Sequence, residues 1–291
     1  MAMRADFSAR SGEGMRKTGG RWMTIDYGEA LTRLEPLALA AGRIVMDAYR
    51  GGCAVETKTD DSPVTWADRE AERIILEGLR RDFPQIPIVA EEEVSAGLMP
   101  ADLGPMFFLV DPLDGTREFV NRSEDFTVNI ALVVDGMPAL GVVYAPARHQ
   151  LFLGQPGRCE MARTTDDHEI EGRREIHTQT PGPTPVVVAS RSHRTIETND
   201  YLAKLPQAEI VSVGSSLKFC MIASGAADFY PRFGATMQWD TAAGDAVLRA
   251  AGGRTRTLDG EALRYGCSGK LEAAAFANPW FISDCGVDLE G

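Results

Sequence analysis

Apolar residues at Leu31, Leu34, Ala38, Ala41, Val45 and Ala48 recur at steps of three and four. That spacing predicts an amphipathic helix from about Asp26 to Tyr49, ended by Gly51-Gly52. The polar stretch Glu56 to Pro63 predicts a loop. Thr65-Trp66-Ala67-Asp68 then carries a helix start, with Thr65 as N-cap and Asp68 in the capping-box position, and the helix continues through Ile74, Ile75 and Leu79 to about Asp82. Two short apolar runs, Ile86 to Ala90 and Met106 to Val110, predict buried strands. The first delivers Glu91-Glu92-Glu93; the second delivers Asp111-Pro112-Leu113-Asp114-Gly115-Thr116, expected as a turn.

From Asp125 the period shifts to that of β structure. Phe126 to Val134, a turn at Asp135-Gly136, Ala139 to Tyr144 and Gln150 to Leu153 predict an antiparallel meander. The polar segment from Gln155 to Pro185 shows little periodicity, so the domain junction is expected there. Beyond it come a strand at Val186 to Ala189, a helix near Thr195 to Leu205, and a strand at Glu209 to Val213. Gly214-Ser215-Ser216 turns into a helix over Leu217 to Ser224, followed by a strand around Ala227 to Tyr230. A helix from Thr241 to Ala251 is stopped by Gly252-Gly253. Helices plus an antiparallel sheet, then alternating elements, indicate an α/β (α+β) chain with a mixed sheet in its second half. The expected units are 26–155, carrying most acidic site residues, a connecting segment 156–185, and 186–291.

Composition narrows the function. The chain has 291 residues, is 44% hydrophobic and carries a formal net charge of −12. That charge argues against binding a nucleic acid polymer, which relies on clustered Lys and Arg. No apolar run approaches the ~20 residues of a transmembrane helix. Five scattered cysteines without a CxxC pair are expected as reduced thiols in a cytoplasmic protein. Residues 1 to 23 are basic, rich in Gly and Ser and lack an apolar h-region. Residues 1–25 are therefore expected as a disordered leader, or as a misassigned start, rather than a targeting signal.

The candidate chemistry lies in the acids. Pro112 fixes its own φ and biases Asp111 toward extended backbone, and Gly115 permits a tight bend. Asp111, Asp114 and the Leu113 carbonyl can therefore reach one small volume, as a hard cation such as Mg²⁺ requires. By itself the segment also fits a polar turn that caps a strand. Glu91 with Glu92, Asp240 after Met237-Gln238-Trp239, and Asp68 are further acids at element ends. Each has a plain alternative as an N-cap or a solvated face. The chain has no G-x-S-x-G and no H-E-x-x-H, and its four histidines are not at ligand spacing.

Taken together, Asp68, Glu91-Glu92, Asp111 to Thr116, and Trp239-Asp240 followed after eleven residues by Gly252-Gly253 resemble the inositol monophosphatase superfamily of lithium-sensitive, magnesium-dependent phosphomonoesterases. The resemblance covers about Asp26 to Phe281 and implies that family's layered αβαβα sugar-phosphatase fold. It implies Glu91, Asp111, the Leu113 carbonyl, Asp114 and Asp240 as ligands of two or three Mg²⁺ ions, with Asp68 in or beside the metal shell. Gly115 and Thr116 would cradle the phosphate with backbone N–H groups. Two ions about 4 Å apart would clamp the phosphate for in-line attack by water. The catalytic set is Asp68, Thr116 and Glu91: Thr116 with Asp68, or Glu91, would orient and deprotonate that water, and the Thr116–Asp68 pair is preferred. Four or five converging carboxylates would be pushed up in pKa unless cations compensated them.

Further segments resemble the bacterial 3′(2′),5′-bisphosphate nucleotidases within that superfamily. They are Lys58 to Thr65, Glu118-Phe119, Phe126 to Ala131, Ser190 to His193, Gly214 to Cys220, Tyr230-Pro231-Arg232 and Trp239 to Gly244. The implied reaction removes the 3′-phosphate of adenosine 3′,5′-bisphosphate to give AMP; the alternative is an inositol or other sugar-phosphate phosphatase. Lys218 and Arg232 can meet a second phosphate, and Ser215-Ser216 offers hydroxyls and N–H groups. As plain residues, Lys218 and Arg232 are also consistent with solvated charges. His193 either touches the nucleotide or caps the next helix. Asp245 departs from the pattern, where His is frequent, and is expected to affect the substrate rim. The resemblance implies a small phosphorylated substrate and a cytoplasmic monomer or homodimer. It also allows peripheral association with the inner face of the cell membrane.

Overall fold

The computed structural model describes residues 13–18, 21–52, 55–57, 63–192, 194–267 and 269–286. Strands β1 (Glu13–Thr18) and β2 (Arg21–Asp26) pair antiparallel, so part of the segment expected as a disordered leader is a hairpin. Helix α1 (Tyr27–Gly51) follows, with the Asp26 carboxylate accepting the Glu29 N–H as its N-cap. Strands β3 (Val55–Thr57) and β4 (Pro63–Thr65) make a short ribbon, so both ends of the polar loop predicted over Glu56 to Pro63 are strand residues, and its positions 58–62 lie outside the described residues. Helix α2 (Trp66–Asp82) begins at the predicted Thr65/Asp68 capping box.

The next elements are β5 (Ile88–Ala90), α3 (Glu91–Ser95), β6 (Met106–Asp114), α4 (Thr116–Val120), β7 (Thr127–Val134), β8 (Met137–Ala145) and β9 (Gln150–Gln155). Two further strands, β10 (Arg158–Thr164) and β11 (Ile170–Glu175), extend the same sheet. Its order is β11-β10-β9-β8-β7-β6-β5, antiparallel except for the parallel β5/β6 pair. Residues 156–175 are thus the outer strands of the first sheet rather than a connecting segment.

The second half contains β12 (Val186–Ser190), α5 (Ile196–Leu202), β13 (Glu209–Val213), α6 (Leu217–Ala223), β14 (Phe229–Arg232), α7 (Gln238–Ala250), β15 (Arg254–Thr257) and β16 (Phe281–Asp284). Its sheet runs β13-β12-β14-β16-β15, with β12 parallel to β13 and β14 and the remaining pairs antiparallel.

Both faces of the first sheet are covered, which is why β6 is a continuous apolar run instead of an alternating one. Phe108 and Val110 face the core beneath α1 and α2, while Phe107 and Leu109 face the core shared with α6, α7 and the second sheet. Val187, Ala189 and Phe229 on the far face of the second sheet pack with Leu202 of α5. The layers are helices, sheet, helices, sheet, helix: the expected αβαβα arrangement. Helix α7 lies so close to the first sheet that a Cβ at Gly141 would stand 2.2 Å from the Ala243 carbonyl oxygen. The two sheets therefore meet across one helix layer, and the site forms at its end. Among the described residues no helix is long and apolar enough to cross a membrane.

Candidate active site

The acids gather where β5 and β6 end and α7 begins. Strand β6 does not stop at Val110, the end expected for it before the Asp111 turn. It carries a bulge at Pro112-Leu113 and continues to Asp114, which pairs with Thr127. The bulge re-aims both carboxylates, a device common beside active sites. Gly115 then takes φ +93° as N-cap of α4, and a Cβ there would come within 2.9 Å of the Asp125 carbonyl oxygen. Only glycine suits that close approach in the left-handed region.

A cavity of about 500 Å³ is lined by Glu91, Asp111, Leu113, Asp114, Gly115, Thr116 and Asp240. Ser215, Lys218, Tyr230 and Arg232 line the same cavity. A roomier cleft of about 880 Å³ between residues 99–105 and 264–271 lacks any comparable gathering of acids and cations. Asp111 is buried, and burial pushes its pKa well up, reinforced by Glu91, Asp114 and Asp240; the Glu91 and Asp111 carboxyls also share a hydrogen bond. Asp240 is pushed up by burial, then by Asp114 and Glu91. Burial raises Asp114 to about 6 against the opposing pull of Lys218. Asp111 and Asp240 are thus held up by burial and by the neighbouring acids around one cavity.

One oxygen of several of these acids is already spent on backbone: Asp111 accepts the Leu113 N–H at 3.0 Å and Asp240 the Met237 N–H at 2.8 Å. Among the described residues no three His, Cys, Asp or Glu side chains are gathered as a ready metal cluster. The donor set nevertheless fits a hard divalent cation, since every donor is oxygen and the charges are mutually repulsive without a counter-ion.

Asp68 does not line the cavity. It is buried, caps Thr65 through one oxygen, and accepts the Thr116 hydroxyl at 3.3 Å through the other. Thr116 also reaches the Leu113 carbonyl at 3.1 Å. Lys218 is buried, donates to the Val213 and Ser215 carbonyls, and stands 5.1 Å over the Tyr230 ring. Burial lowers its pKa to about 8, with Asp114 opposing and Arg232 adding to the shift. Arg232 is 7% exposed and its Nε has no hydrogen-bond partner. These two are not solvated surface charges.

Two expectations change, and a third falls on a residue outside the described ones. Ser216 does not line the cavity: its N–H donates to Asp114 at 2.7 Å and its hydroxyl to the Asp240 carbonyl at 2.7 Å, while accepting from Asn129 at 2.8 Å. It ties acids from both halves together and has no hydrogen left for a substrate. Asp245, expected at the substrate rim, is fully buried and paired with Arg249 at 2.9 Å and the Tyr265 hydroxyl at 3.0 Å. His193 lies outside the described residues.

Residues not foreseen as site components also appear. Asn129 is a lone amide in an apolar strand, a signal that a buried polar partner exists. Buried Asp125 accepts the Gly214 N–H at 3.1 Å and pairs with Arg191 at 2.9 Å and with Arg148. It pins the Gly214-Ser215 turn to the first sheet. Buried Glu72, raised by burial to about 7, sits one helical turn from Asp68. Removing the Ser216 hydroxyl in Ser216→Ala should lower the unfolding free energy by about 1–3 kcal/mol, because Asn129 and the Asp240 carbonyl lose a buried partner. Denaturant melts equal to those of the wild type would show that this bond does not hold the two halves.

The chain belongs to the inositol monophosphatase family, whose profile matches residues 27–285. Within that class it is 43% identical over 247 residues to the 3′(2′),5′-bisphosphate nucleotidase CysQ of Salmonella typhimurium, covering 84% of this chain and 95% of the relative. The CysQ of Escherichia coli K12 is 42% identical over the same span. The crystal structure of CysQ from Bacteroides thetaiotaomicron matches with a TM-score of 0.74 at 34% identity, covering 89% of this chain and 98% of that one. An inositol monophosphatase from Thermotoga maritima matches with a TM-score of 0.68 at 26% identity, covering 89% and 92%.

Proposed function

We propose that this protein is a Mg²⁺-dependent phosphomonoesterase that removes the 3′-phosphate of adenosine 3′,5′-bisphosphate, leaving AMP and phosphate. Its similarity to nucleotidases across most of the chain supports the substrate class. The observation that carries the reading is that two buried cations, Lys218 and Arg232, line the same cavity as Asp111, Asp114 and Asp240. A monophosphate needs only the acids and the Gly115-Thr116 turn. A bisphosphate also meets Lys218 and the unpartnered Nε of Arg232.

Glu91, Asp111, the Leu113 carbonyl, Asp114 and Asp240 would hold two or three Mg²⁺ ions. Bound there, Mg²⁺ supplies charge neutralisation at the phosphate and a lowered pKa for water. The chain's own residues do the rest. Gly115 and Thr116, opening α4, offer backbone N–H groups to the phosphate oxygens. The Thr116 hydroxyl, held by Asp68, accepts a hydrogen bond from the attacking water and relays its proton toward Asp68 Oδ1. Asp68 thus acts through Thr116. Lys218 and Arg232 hold the phosphate that is not cleaved, fixing which ester faces the acids.

A phosphate-release assay with and without Mg²⁺ tests this. Adenosine 3′,5′-bisphosphate should be hydrolysed only with Mg²⁺, and with a kcat/KM at least about tenfold above that for inositol 1-phosphate, since one charge-assisted contact contributes ~1.5–3 kcal/mol. Equal use of both substrates would favour a general sugar-phosphate phosphatase.

A further inference from the structure

Helix α3 has five residues, and its first, Glu91, is one of the acids of the cavity. Such a helix cannot hold its own start. The residue in the N-cap position, Ala90, has no side-chain oxygen, so the N–H groups of Glu92 and Glu93 lack a local acceptor. Buried backbone donors need a partner from elsewhere. The Glu72 carboxylate provides it from α2: one oxygen accepts the Glu92 N–H at 2.8 Å and the other the Glu93 N–H at 2.8 Å. Glu72 is 3% exposed. It lies four residues after Asp68, so both acids project from one face of α2, the face turned to the site. Asp68 holds Thr116 and Glu72 holds the segment that begins with Glu91.

We propose that Glu72 is a positioning residue for the metal-binding acids: a cap donated by a second helix that fixes the direction in which Glu91 presents its carboxylate. The inference rests on the Mg²⁺ reading above. A carboxylate bound to two successive N–H groups leaves the backbone of α3 a single orientation, and with Glu91 at its first position the Glu91–Asp111 spacing is set. Loss of one acceptor frees the start of α3 to fray. Glu91 then approaches a cation from a range of directions, and cation binding weakens without any change in the substrate subsite at Lys218 and Arg232, which stands on other elements.

Isothermal titration calorimetry of Mg²⁺ into substrate-free protein tests this with Glu72→Gln, which keeps the shape but turns an amide NH₂ toward one of the two N–H donors. The expected result is a Mg²⁺ dissociation constant raised roughly tenfold to a hundredfold. The KM for adenosine 3′,5′-bisphosphate at saturating Mg²⁺ should stay within about twofold of wild type. Glu72→Asp, which withdraws the carboxylate by one methylene, is run alongside, and whichever variant retains the wild-type circular dichroism decides. Glu77→Gln, on the exposed side of α2, should leave the constant unchanged. A folded variant that binds Mg²⁺ as tightly as wild type overturns the proposal. Failure of the wild type itself to bind Mg²⁺ overturns the metal reading instead.

Discussion

Asp111→Asn is expected to reduce phosphate release on the order of a thousandfold, the equivalent of about 4 kcal/mol of transition-state stabilisation, and at the same time to stabilise the metal-free fold. Both effects come from one fact: the carboxylate is buried among Glu91, Asp114 and Asp240. Asparagine keeps an oxygen for the Leu113 N–H but cannot supply the charge that a cation needs. The pH dependence follows from the raised pKa values. An acid whose folded pKa lies above its unfolded value makes the fold less stable as pH climbs from the unfolded pKa to the folded one. For Asp114 alone, a rise from 3.8 to about 6 corresponds to roughly 3 kcal/mol at 1.36 kcal/mol per unit. The metal-free wild type should therefore melt at a lower temperature at pH 8 than at pH 5. Mg²⁺ should restore more of the loss at pH 8, and Asp111→Asn should show a smaller pH dependence. Asp240→Asn should behave in the same way. Full turnover in both variants with unchanged circular dichroism would remove these acids from the metal site.

The elements that could be placed from the chain alone are those whose burial is one-sided or complete. Helix α1 shows its stripe because one face meets the sheet, and β6 shows an unbroken run because both faces are covered. Strands β10 and β11 escaped notice for the opposite reason. They form the outer edge of the first sheet, and five of the six residues of β11 are exposed, including Arg173, which reaches Glu35 on α1. An edge guarded by charge has no alternating pattern to display. Strand β15 reads Arg-Thr-Arg-Thr, and Arg254 and Arg256 pair with buried Asp284. Its meaning depends on a residue nearly thirty positions away.

The site divides along the same line. Acids at the ends of β5 and β6 stand out because a charge directly after an apolar strand is conspicuous. The chain alone puts Asp240 just before a helix starting at Thr241, where it fits an N-cap, whereas Met237 is the N-cap of α7 and Asp240 its third residue. The position in the cavity was right and the local reason was not. Glu72, Ser216 and Asn129 act on backbone groups or on one another, and nothing in their own segments announces those contacts. On sequence Ser216 reads as a substrate contact because its turn offers a hydroxyl and an N–H; the tertiary fold directs both to Asp114 and Asp240. Asp245 is the converse, a departure from the family pattern that the fold absorbs through Arg249 and Tyr265.

Replacing Lys218 or Arg232 by Ala is expected to raise KM for adenosine 3′,5′-bisphosphate roughly tenfold to a hundredfold, with a much smaller change for a substrate carrying one phosphate. Both cations are buried, and Arg232 keeps an Nε donor without a partner. A donor desolvated in that way costs free energy until an acceptor arrives, so a phosphate that fills the position gains more than it would from a surface lysine. The comparison of two substrates cancels any loss of folded protein, since both are measured on the same preparation. Lys218 adds a second signature. Burial lowers its pKa to about 8, so its charge is complete below that pH and lost above it. The kcat/KM for the bisphosphate, which reports the free enzyme, should accordingly fall above pH 8 in the wild type. The fall should be shallower in Lys218→Ala and for the monophosphate. Equal losses for both substrates, or identical alkaline limbs in wild type and variant, would mean that these cations serve the acids or the cleaved phosphate rather than a second phosphate.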